Sequence, residues 1–259
     1  AMLYASYFSL PVISHCEEPS LAEGGHMNEG YWSTVMGLRG IPTVAESMMV
    51  ARDCLLAEYL NLPVHIAHVS ARQSVDQIRA AKARGVRVTA ETCPHYFTLT
   101  DKDCQGFNTM AKMNPPLRTG DDVEAIIEGL CDETIDLIAT DHAPHHQDEK
   151  ELEFGLANNG IVGLETALAL GYTHLVRTGR LTLMKWLETM TTRPAALLAP
   201  ELGTLLPGRP ADIILVDLEH PFIFDRNTML SKARNTPYHG WELYGQVRLT
   251  LCEGRITYE

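Results

Sequence analysis

Apolar strand-like runs alternate with segments of helical spacing over residues 1–176, and this alternation limits the possible folds more than any other feature. In chain order, the sequence predicts a strand over 10–14, a helix over 41–60, a strand over 64–69, a helix over 70–84, a strand over 86–92, a helix over 121–130, a strand over 135–140 and a helix over 164–176. Ser70 is the predicted N-cap of the second helix. Repeated strand–helix units with short links predict parallel strands joined by crossover helices.

Two α/β architectures meet this description: a doubly wound sheet and a barrel. No G-x-G-x-x-G turn follows the first strand, so the pattern that would favour a doubly wound dinucleotide-binding domain is missing. Beyond Pro200 the sequence changes to β-rich stretches with Gly and Pro turns. We therefore expect two regions, an α/β unit over 1–200 and strands of a small accessory β-sheet over 201–259.

Net charge, cysteine spacing and the length of apolar runs limit the partners and the cellular compartment that this chain is expected to have. The formal net charge of -12 argues against nucleic acid or an anionic membrane surface as the main partner. The six cysteines have no C-x-x-C spacing, which favours a reduced, cytoplasmic setting over a disulfide framework. We also expect no membrane-spanning segment, because no apolar run approaches about 18 residues, and no signal peptide is recognisable.

Polar side chains follow three of the predicted strands. His15, His68 and Asp141 each lie at the C-terminal end of an apolar run. In α/β barrels these strand ends build the active site, and two histidines with an aspartate are suitable ligands for Zn²⁺ or a similar divalent ion. Because side chains alternate along a strand, His65 and His142 are expected to face away from the site. We expect the ring of His65 to pack on a neighbouring helix.

The connecting loops supply further candidates. Asn114 precedes two prolines in KMNPPLR, where its amide either contacts a polar ligand or forms an Asx turn. His145 lies four residues beyond Asp141 and is placed to reach a substrate. The loop over 158–166 opens a helix, and its backbone N–H groups are candidates to hold a carboxylate. Near His15, a solvated turn capped by an acid is favoured over a ligand role for Cys16, Glu17 and Glu18; His95 is interpreted as structural or as supporting the site.

Distinctive segments occur along nearly the whole chain: HCEEPSL, MNEGYWSTVMGLRGIPTVAES, HIAHVSARQSV, VTAETCPHYFTLT, KMNPPLRT, IATDHAPH, GIVGLETAL, GTLLPGRPADIILVD and SKARNTPYHGWELYGQVRLTLCEGRITYE. Together they resemble the type I dihydroorotases of the amidohydrolase superfamily. GTLLPGRPADIILVD alone would indicate only the superfamily, whereas KMNPPLR with IATDHAPH narrows the resemblance. It implies a partial TIM-like (β/α) barrel, equivalent to strands five to eight of a metal-dependent amidohydrolase, followed by an accessory sheet segment that returns to the barrel.

The resemblance also implies the chemistry. It points to the reversible, zinc-dependent hydrolysis of L-dihydroorotate to N-carbamoyl-L-aspartate in de novo pyrimidine biosynthesis. His15 and His68 would bind one zinc ion, and Asp141 would be a ligand of a second zinc ion and the proton shuttle. The implied substrate contacts are Asn114, His145, Asn159 and Gly160.

One departure from the family pattern affects this expectation. Family members carry a His-x-His pair and a bridging aspartate or carboxylated lysine before the strand that bears the equivalent of His15, and this sequence contains neither. We therefore expect the 259 residues alone to be weakly active or inactive. Open strand edges would favour a homo-oligomer or a partner such as aspartate transcarbamoylase.

Two other functions remain open. One is another cyclic-amide hydrolase, such as an allantoinase or hydantoinase, against which Asn114 and His145 argue. The other is a non-catalytic dihydroorotase-like partner of aspartate transcarbamoylase, against which the retained His15, His68 and Asp141 argue.

Overall fold

The computed structural model describes residues 1–259. Its α-helices are α1 (Met2–Ser6), α2 (Pro19–Ala22), α3 (Tyr31–Met36), α4 (Val44–Leu60), α5 (Arg72–Ala83), α6 (Pro94–Thr98), α7 (Gly120–Cys131), α8 (Gln147–Lys150), α9 (Ala167–Gly171), α10 (Leu183–Met190) and α11 (Thr192–Leu198). Its strands are β1 (Ile13–Ser14), β2 (Met27–Asn28), β3 (Gly40–Ile41), β4 (Val64–Ile66), β5 (Val88–Thr92), β6 (Leu137–Ile138), β7 (Ile213–Asp217), β8 (Phe222–Ile223), β9 (Glu242–Leu243), β10 (Gln246–Cys252) and β11 (Arg255–Tyr258). No helix has both the length and the apolar character needed to cross a bilayer.

The main sheet is parallel, as the alternating pattern predicts. Its strand order is β1-β4-β5-β6, so each strand pairs with its neighbour among the predicted strands. β1 and β6 lie at the two edges, and the sheet does not close into a barrel. In this open parallel sheet, the C-terminal ends of all four strands lie on the same side.

The strands end earlier than their apolar runs. β4 stops at Ile66 and β6 at Ile138, although hydrophobic residues continue beyond both. His68 has φ 36° and Asp141 has φ 45°, in the left-handed region where an extended strand cannot continue. At His68 and at Asp141, the backbone has therefore just turned out of the sheet.

The crossover helices cover the sheet with a continuous apolar core. α4 packs on α5 and α5 on α7, and Val50, Ile66, Ile78, Ala90 and Ile126 are fully buried between these helices and the strands. A 0–1% exposure for each of these five residues corresponds to roughly 1–3 kcal/mol of hydrophobic stabilisation per side chain. The predicted covering of the sheet by helices is confirmed.

Two predicted helix starts and one predicted cap differ from the structure. The helix predicted from residue 41 begins at Val44, because Ile41 forms a short parallel pair with Asn28 in β3 and β2. The N-cap of α5 is Ala71, not Ser70. The Ser70 hydroxyl and N–H instead bind the carboxylate of Glu46. The helix predicted from residue 164 begins at Ala167 and continues as a π-helical turn over Tyr172–Val176.

The C-terminal residues form a second sheet and also contribute to the core of the first unit. β7, β10 and β11 make an antiparallel sheet in the order β11-β10-β7. Between β7 and β10, the β8–β9 pair and its connection bring Phe224, Tyr238 and Leu243 into an apolar cluster with Tyr96 and Leu117. The chain therefore leaves the accessory strands, packs against the α/β unit, and then returns.

Candidate metal and substrate site

Two histidines meet at the ends of adjacent parallel strands. His15 directly follows β1, and His68 lies two residues beyond β4. His15 Nδ1 lies 3.0 Å from His68 Nε2, and the ring centroids are 4.8 Å apart with an interplanar angle of 68°. The structure thus brings together two of the three residues that the sequence predicts as metal ligands.

The electrostatic surroundings keep His68 neutral. Burial lowers the pKa of His68, the nearby Asp141 carboxylate opposes that effect, and His15 lowers the pKa further. A neutral imidazole is the form that binds a metal ion. The Nδ1 atom of His68 is buried and has no hydrogen-bond partner, so within the chain only the contact of Nε2 with His15 bears on the tautomer.

The spacing of the two nitrogens fits a shared cation. Zn–N distances of about 2.0–2.1 Å in a tetrahedral site place two ligand nitrogens roughly 3.3 Å apart, close to the observed 3.0 Å. Asp141 follows β6, on the side of the sheet where the strands end, and it is exposed. No cluster of three or more His, Cys, Asp or Glu side chains meets the geometry of a metal site. The imidazole pair therefore fits as two ligands of a divalent ion, with a carboxylate of suitable chemistry nearby.

His95 lies behind this pair as a buried neutral ring. It is 2% exposed, and burial, with a smaller contribution from His68, lowers its pKa to about 3. Its Nε2 has no partner, and its ring contacts that of Tyr96 with centroids 4.2 Å apart. His95 therefore stays neutral near pH 7, and the structural interpretation and the one that has it support the site both stay predictions.

The residues after His15 behave as a structural turn. Glu18 is the N-cap of α2 and accepts hydrogen bonds from the backbone and hydroxyl of Ser20. The Cys16 thiol is buried 3.5 Å from an oxygen of Asp53. Burial raises the pKa of Cys16 to about 12, so the thiol stays protonated. This agrees with the predicted capped turn, in which the Cys16 thiol is hydrogen-bonded within the chain.

His65 and His142 both face away from the imidazole pair. The ring nitrogens of His65 lie 2.8 Å from Thr89 Oγ1 and 3.1 Å from Glu91 Oε2. His65 therefore contacts the neighbouring strand β5, and the expected packing on a helix was wrong. His142 Nδ1 accepts a hydrogen bond from the N–H of Gly163 at 3.2 Å. Alternation along the strands does not account for this arrangement, because β4 and β6 end before His68 and His142.

The loops after β6 and around residue 160 are joined by His145. Its Nε2 lies 2.7 Å from the carbonyl oxygen of Asn159, and its N–H donates to Asn235. The N–H of Gly160 donates to the carbonyl of Lys112 at 2.9 Å. The N–H of Asn159 makes no hydrogen bond within the chain. Of the two predicted backbone donors in this loop, only that of Asn159 is therefore free for a ligand.

Gly160 has a conformational reason to be glycine. Its φ is 125°, and a Cβ at this position would lie 2.5 Å from the Cβ of Ala143. Only glycine allows the loop to approach the segment after Asp141 this closely. Gly160 thus sets the distance between the two loops that carry His145 and Asn159.

Asn114 offers an unused acceptor. Its Oδ1 is buried without a hydrogen-bond partner. An Asx turn would need a backbone N–H two residues later, and that residue is Pro116, which has none. The nearby Tyr96 hydroxyl donates to the carbonyl of Pro115 at 2.7 Å. The Asx-turn alternative is therefore excluded, and the amide oxygen has no hydrogen-bond partner within the chain.

Comparison with known proteins places this geometry in a family. The family model described as "Amidohydrolase family" matches residues 25–257. The chain belongs to the amidohydrolase family. It is 60% identical over 256 residues to the dihydroorotase of Acetivibrio thermocellus, covering 99% of this chain and 60% of that protein. It is 56% identical over 258 residues to the dihydroorotase of Syntrophotalea carbinolica, covering 100% and 60%.

A solved structure supports the fold independently. The dihydropyrimidinase from Brevibacillus agri NCHU1002 superimposes with a TM-score of 0.88 at 24% identity, covering 100% of this chain and 59% of that one. This likeness establishes the α/β fold of this amidohydrolase chain. The chain spans about 60% of the length of the curated relatives it matches.

Three polar residues that hold the loops around His145 and Gly160 in place were not singled out from sequence. Asn235 is 2% exposed; its side chain accepts from the N–H of His145 and donates to the carbonyls of Ala143 and Gly160. Lys112 and Lys150 are buried and donate only to backbone carbonyls. Lys112 lies inside KMNPPLR and Asn235 inside SKARNTPYHG. The identity of a residue in a motif does not predict which backbone carbonyls its side chain will contact.

Proposed function

We propose that this chain provides metal- and substrate-binding residues of a dihydroorotase, which hydrolyses the cyclic amide of L-dihydroorotate to N-carbamoyl-L-aspartate and runs in reverse. The imidazole pair of His15 and His68, 3.0 Å apart at adjacent strand ends, is the observation on which the proposal rests. The names of relatives at 56–60% identity supply the choice of substrate.

The proposed architecture is one part of a (β/α) barrel. The four-stranded parallel sheet with helices on its crossovers would correspond to strands five to eight, within residues 1–200. Residues 201–259 would form the accessory sheet segment and its return to the barrel. The open edges at β1 and β6 and the structural likeness to a longer chain support this division.

His15 and His68 would hold one zinc ion, and Asp141 would help to hold a second. When bound, zinc in such a site polarises a carbonyl group and lowers the pKa of water. Asp141 would accept a proton from the attacking water and deliver it to the departing amide nitrogen, as general base and then general acid. Its exposure, and its influence on the pKa of His68, fit a carboxylate that lies beside the pair and remains accessible.

Substrate positioning would fall to the free polar groups. The Asn114 amide oxygen can accept from a ring N–H, and the N–H of Asn159 can donate to a carboxylate. His145 would contact the substrate while its bond to the Asn159 carbonyl fixes the ring. Holding the reactants in this way lowers the entropic part of the barrier.

The wider setting follows from the same proposal. A dihydroorotase would act in de novo pyrimidine biosynthesis in the cytoplasm, and the six cysteines are all unpaired. The open edges of the parallel sheet support a homo-oligomer, or an assembly with aspartate transcarbamoylase.

Ligand preference tests the proposal. The zinc-loaded protein is expected to bind L-dihydroorotate at least about ten times more tightly than hydantoin or allantoin, because a site built around specific polar partners rejects ligands that leave those partners unpaired. Isothermal titration calorimetry measures the three affinities without depending on turnover. An Asn114→Ala variant should lose most of the preference, whereas Asn108→Ala, an exposed amide in the same connection, should keep it. Tighter binding of hydantoin would support a hydantoinase instead, and binding of none of the three would reject a substrate site.

A further inference from the structure

A cavity of about 650 Å³ lies between the segment after Asp141, helix α8 and residues 226–235. Its volume is that of a typical small-molecule site. Its lining is mostly polar and includes Lys150, Arg226, Lys232 and Arg234. Of these four cations, none belongs to the ligand and substrate residues described above.

The cations on the cavity wall lack acidic partners. Arg226, Lys232 and Arg234 form no ion pair, and the side chain of Arg234 donates only to the carbonyl of the preceding residue at 3.1 Å. The single acid on the wall is Glu151, whose carboxylate is bound by the Gln147 amide. In a chain with a net charge of -12, a concave surface with this excess of positive charge does not follow from composition.

Lys150 adds a buried charge to the same wall. It is 0% exposed, and its Nζ donates to the carbonyls of Asn158 at 2.7 Å, Gly160 at 3.2 Å and Lys112 at 3.3 Å. Burial, and then the neighbouring Lys112 ammonium, lower the pKa of Lys150 to about 8. Three carbonyl oxygens satisfy its donors, but they do not neutralise its charge. Burying this charge costs free energy, and no group of the chain provides the counter-charge. A negative group in the cavity would therefore reduce that cost.

We propose that this cavity binds a small anion with two or more carboxylate or phosphate groups. Arg226 and Arg234 present guanidinium forks, which bind the paired oxygens of either group, and Lys232 adds a mobile point charge at the exposed rim. The volume is that of a small-molecule ligand. The four cations of this site include no proposed metal ligand or substrate contact, although His145 also borders the cavity.

The anion would also act on the substrate loop. Lys150 lies between the cavity and the carbonyls of Asn158 and Gly160, and His145 borders the cavity while its ring contacts Asn159. Occupancy would stabilise the protonated form of Lys150 and with it these carbonyl contacts. We therefore expect bound anion to raise the melting temperature of the protein.

Calorimetric titration of the purified protein with pyrophosphate and, separately, with succinate tests the site. At low ionic strength we expect one saturable site for at least one of the two, and the stronger of them identifies phosphate or carboxylate as the preferred group. Binding should persist with zinc removed by a chelator, which separates this site from the metal-dependent one. Because charges at the rim are screened by salt, affinity should fall in 0.5 M NaCl.

Matched variants complete the test. Lys232→Gln and Arg234→Gln should each weaken the anion by about ten-fold, as expected for the loss of one charge-assisted contact worth roughly 1.4 kcal/mol. Arg255→Gln, which removes an exposed cation from the accessory sheet, should leave binding unchanged. Lys232 is exposed, so its variant should fold even where the Arg234 variant does not. Absence of saturable binding by the wild-type protein, or equal affinity in the Lys232 and Arg255 variants, would overturn the proposal.

Discussion

The weak dihydroorotate hydrolysis expected of this chain should fall by about 10²–10⁴-fold in kcat in an Asp141→Asn variant, the range found when a general acid–base group is removed. Asparagine has nearly the same shape but cannot accept the proton from water or return it to the amide nitrogen. The Asn114 and Asn159 contacts are separate from Asp141, so KM should change much less than kcat. Steady-state kinetics with zinc-supplemented protein, expressed relative to the wild-type rate, measures both.

Asp148→Asn is the matched control for this substitution. Asp148 lies in the same connection beyond β6, and its side chain is 86% exposed. Removing its charge should change kcat less than two-fold, because surface ion pairs such as that of Asp148 with His146 contribute little. An Asp141→Asn enzyme within three-fold of the wild-type kcat would contradict the role assigned to this carboxylate.

Arg118→Met is expected to cost about 3–5 kcal/mol of unfolding free energy, the usual result of removing one member of a buried ion pair. Arg118 is 3% exposed and Glu46 is 4% exposed, with Nη2 of Arg118 3.5 Å from the carboxylate. The guanidinium also donates to Ser70 Oγ at 3.1 Å, to Asn28 Oδ1 at 3.0 Å and to the Ile41 carbonyl at 3.0 Å. Methionine fills a similar volume but removes the guanidinium donors, and the buried Glu46 carboxylate then keeps only its hydrogen bonds from Ser70 and Ala71, without a counter-charge.

Urea unfolding measures this loss, and Arg84→Met provides the control. Arg84 pairs with Glu58 at 3.0 Å, but both side chains are more than 40% exposed. Solvent screens that pair, so its removal should cost less than about 1 kcal/mol. If the two variants lost equal amounts of unfolding free energy, the buried network around Arg118 would not stabilise the protein more than an exposed ion pair does.

The parallel sheet could be predicted from the sequence because its cause is local and repeated. Apolar runs alternating with helical segments admit few topologies, and the parallel order of β1, β4, β5 and β6 follows from that alternation. The exact strand ends could not be predicted. The left-handed conformations at His68 and Asp141 interrupt apolar runs whose composition still favours extension.

The cap of α5 shows why some local rules fail. Ser70 has the right chemistry and position for an N-cap, but Glu46 lies 24 residues earlier in the chain and binds both its N–H and its hydroxyl. Leaving a buried carboxylate without hydrogen-bond donors costs more free energy than leaving the helix without a serine cap. The partner is distant in sequence, so no pattern around Ser70 predicts this exchange.

The candidate site was predictable where chemistry and strand position coincide. His15 and His68 stand out because an apolar run ends in an imidazole, but alternation along the strand does not separate them from His65 and His142, because β4 and β6 end before His68 and His142. Lys150 could not be found in this way, since it lies in the charged run HHQDEKEL, which reads as a solvated surface. Only the fold reveals that this lysine turns inward to three carbonyls.

The central claim, that His15 and His68 bind one divalent ion, is tested most directly by Zn²⁺ affinity in competition with a chromophoric chelator. The wild-type protein is expected to bind zinc at this pair, and His15→Ala and His68→Ala should each weaken that binding by about 100-fold or more, because each removes a direct ligand. His220→Ala, at an exposed histidine paired with Asp217, should have no effect. Unchanged zinc affinity in both the His15 and His68 variants would contradict the account.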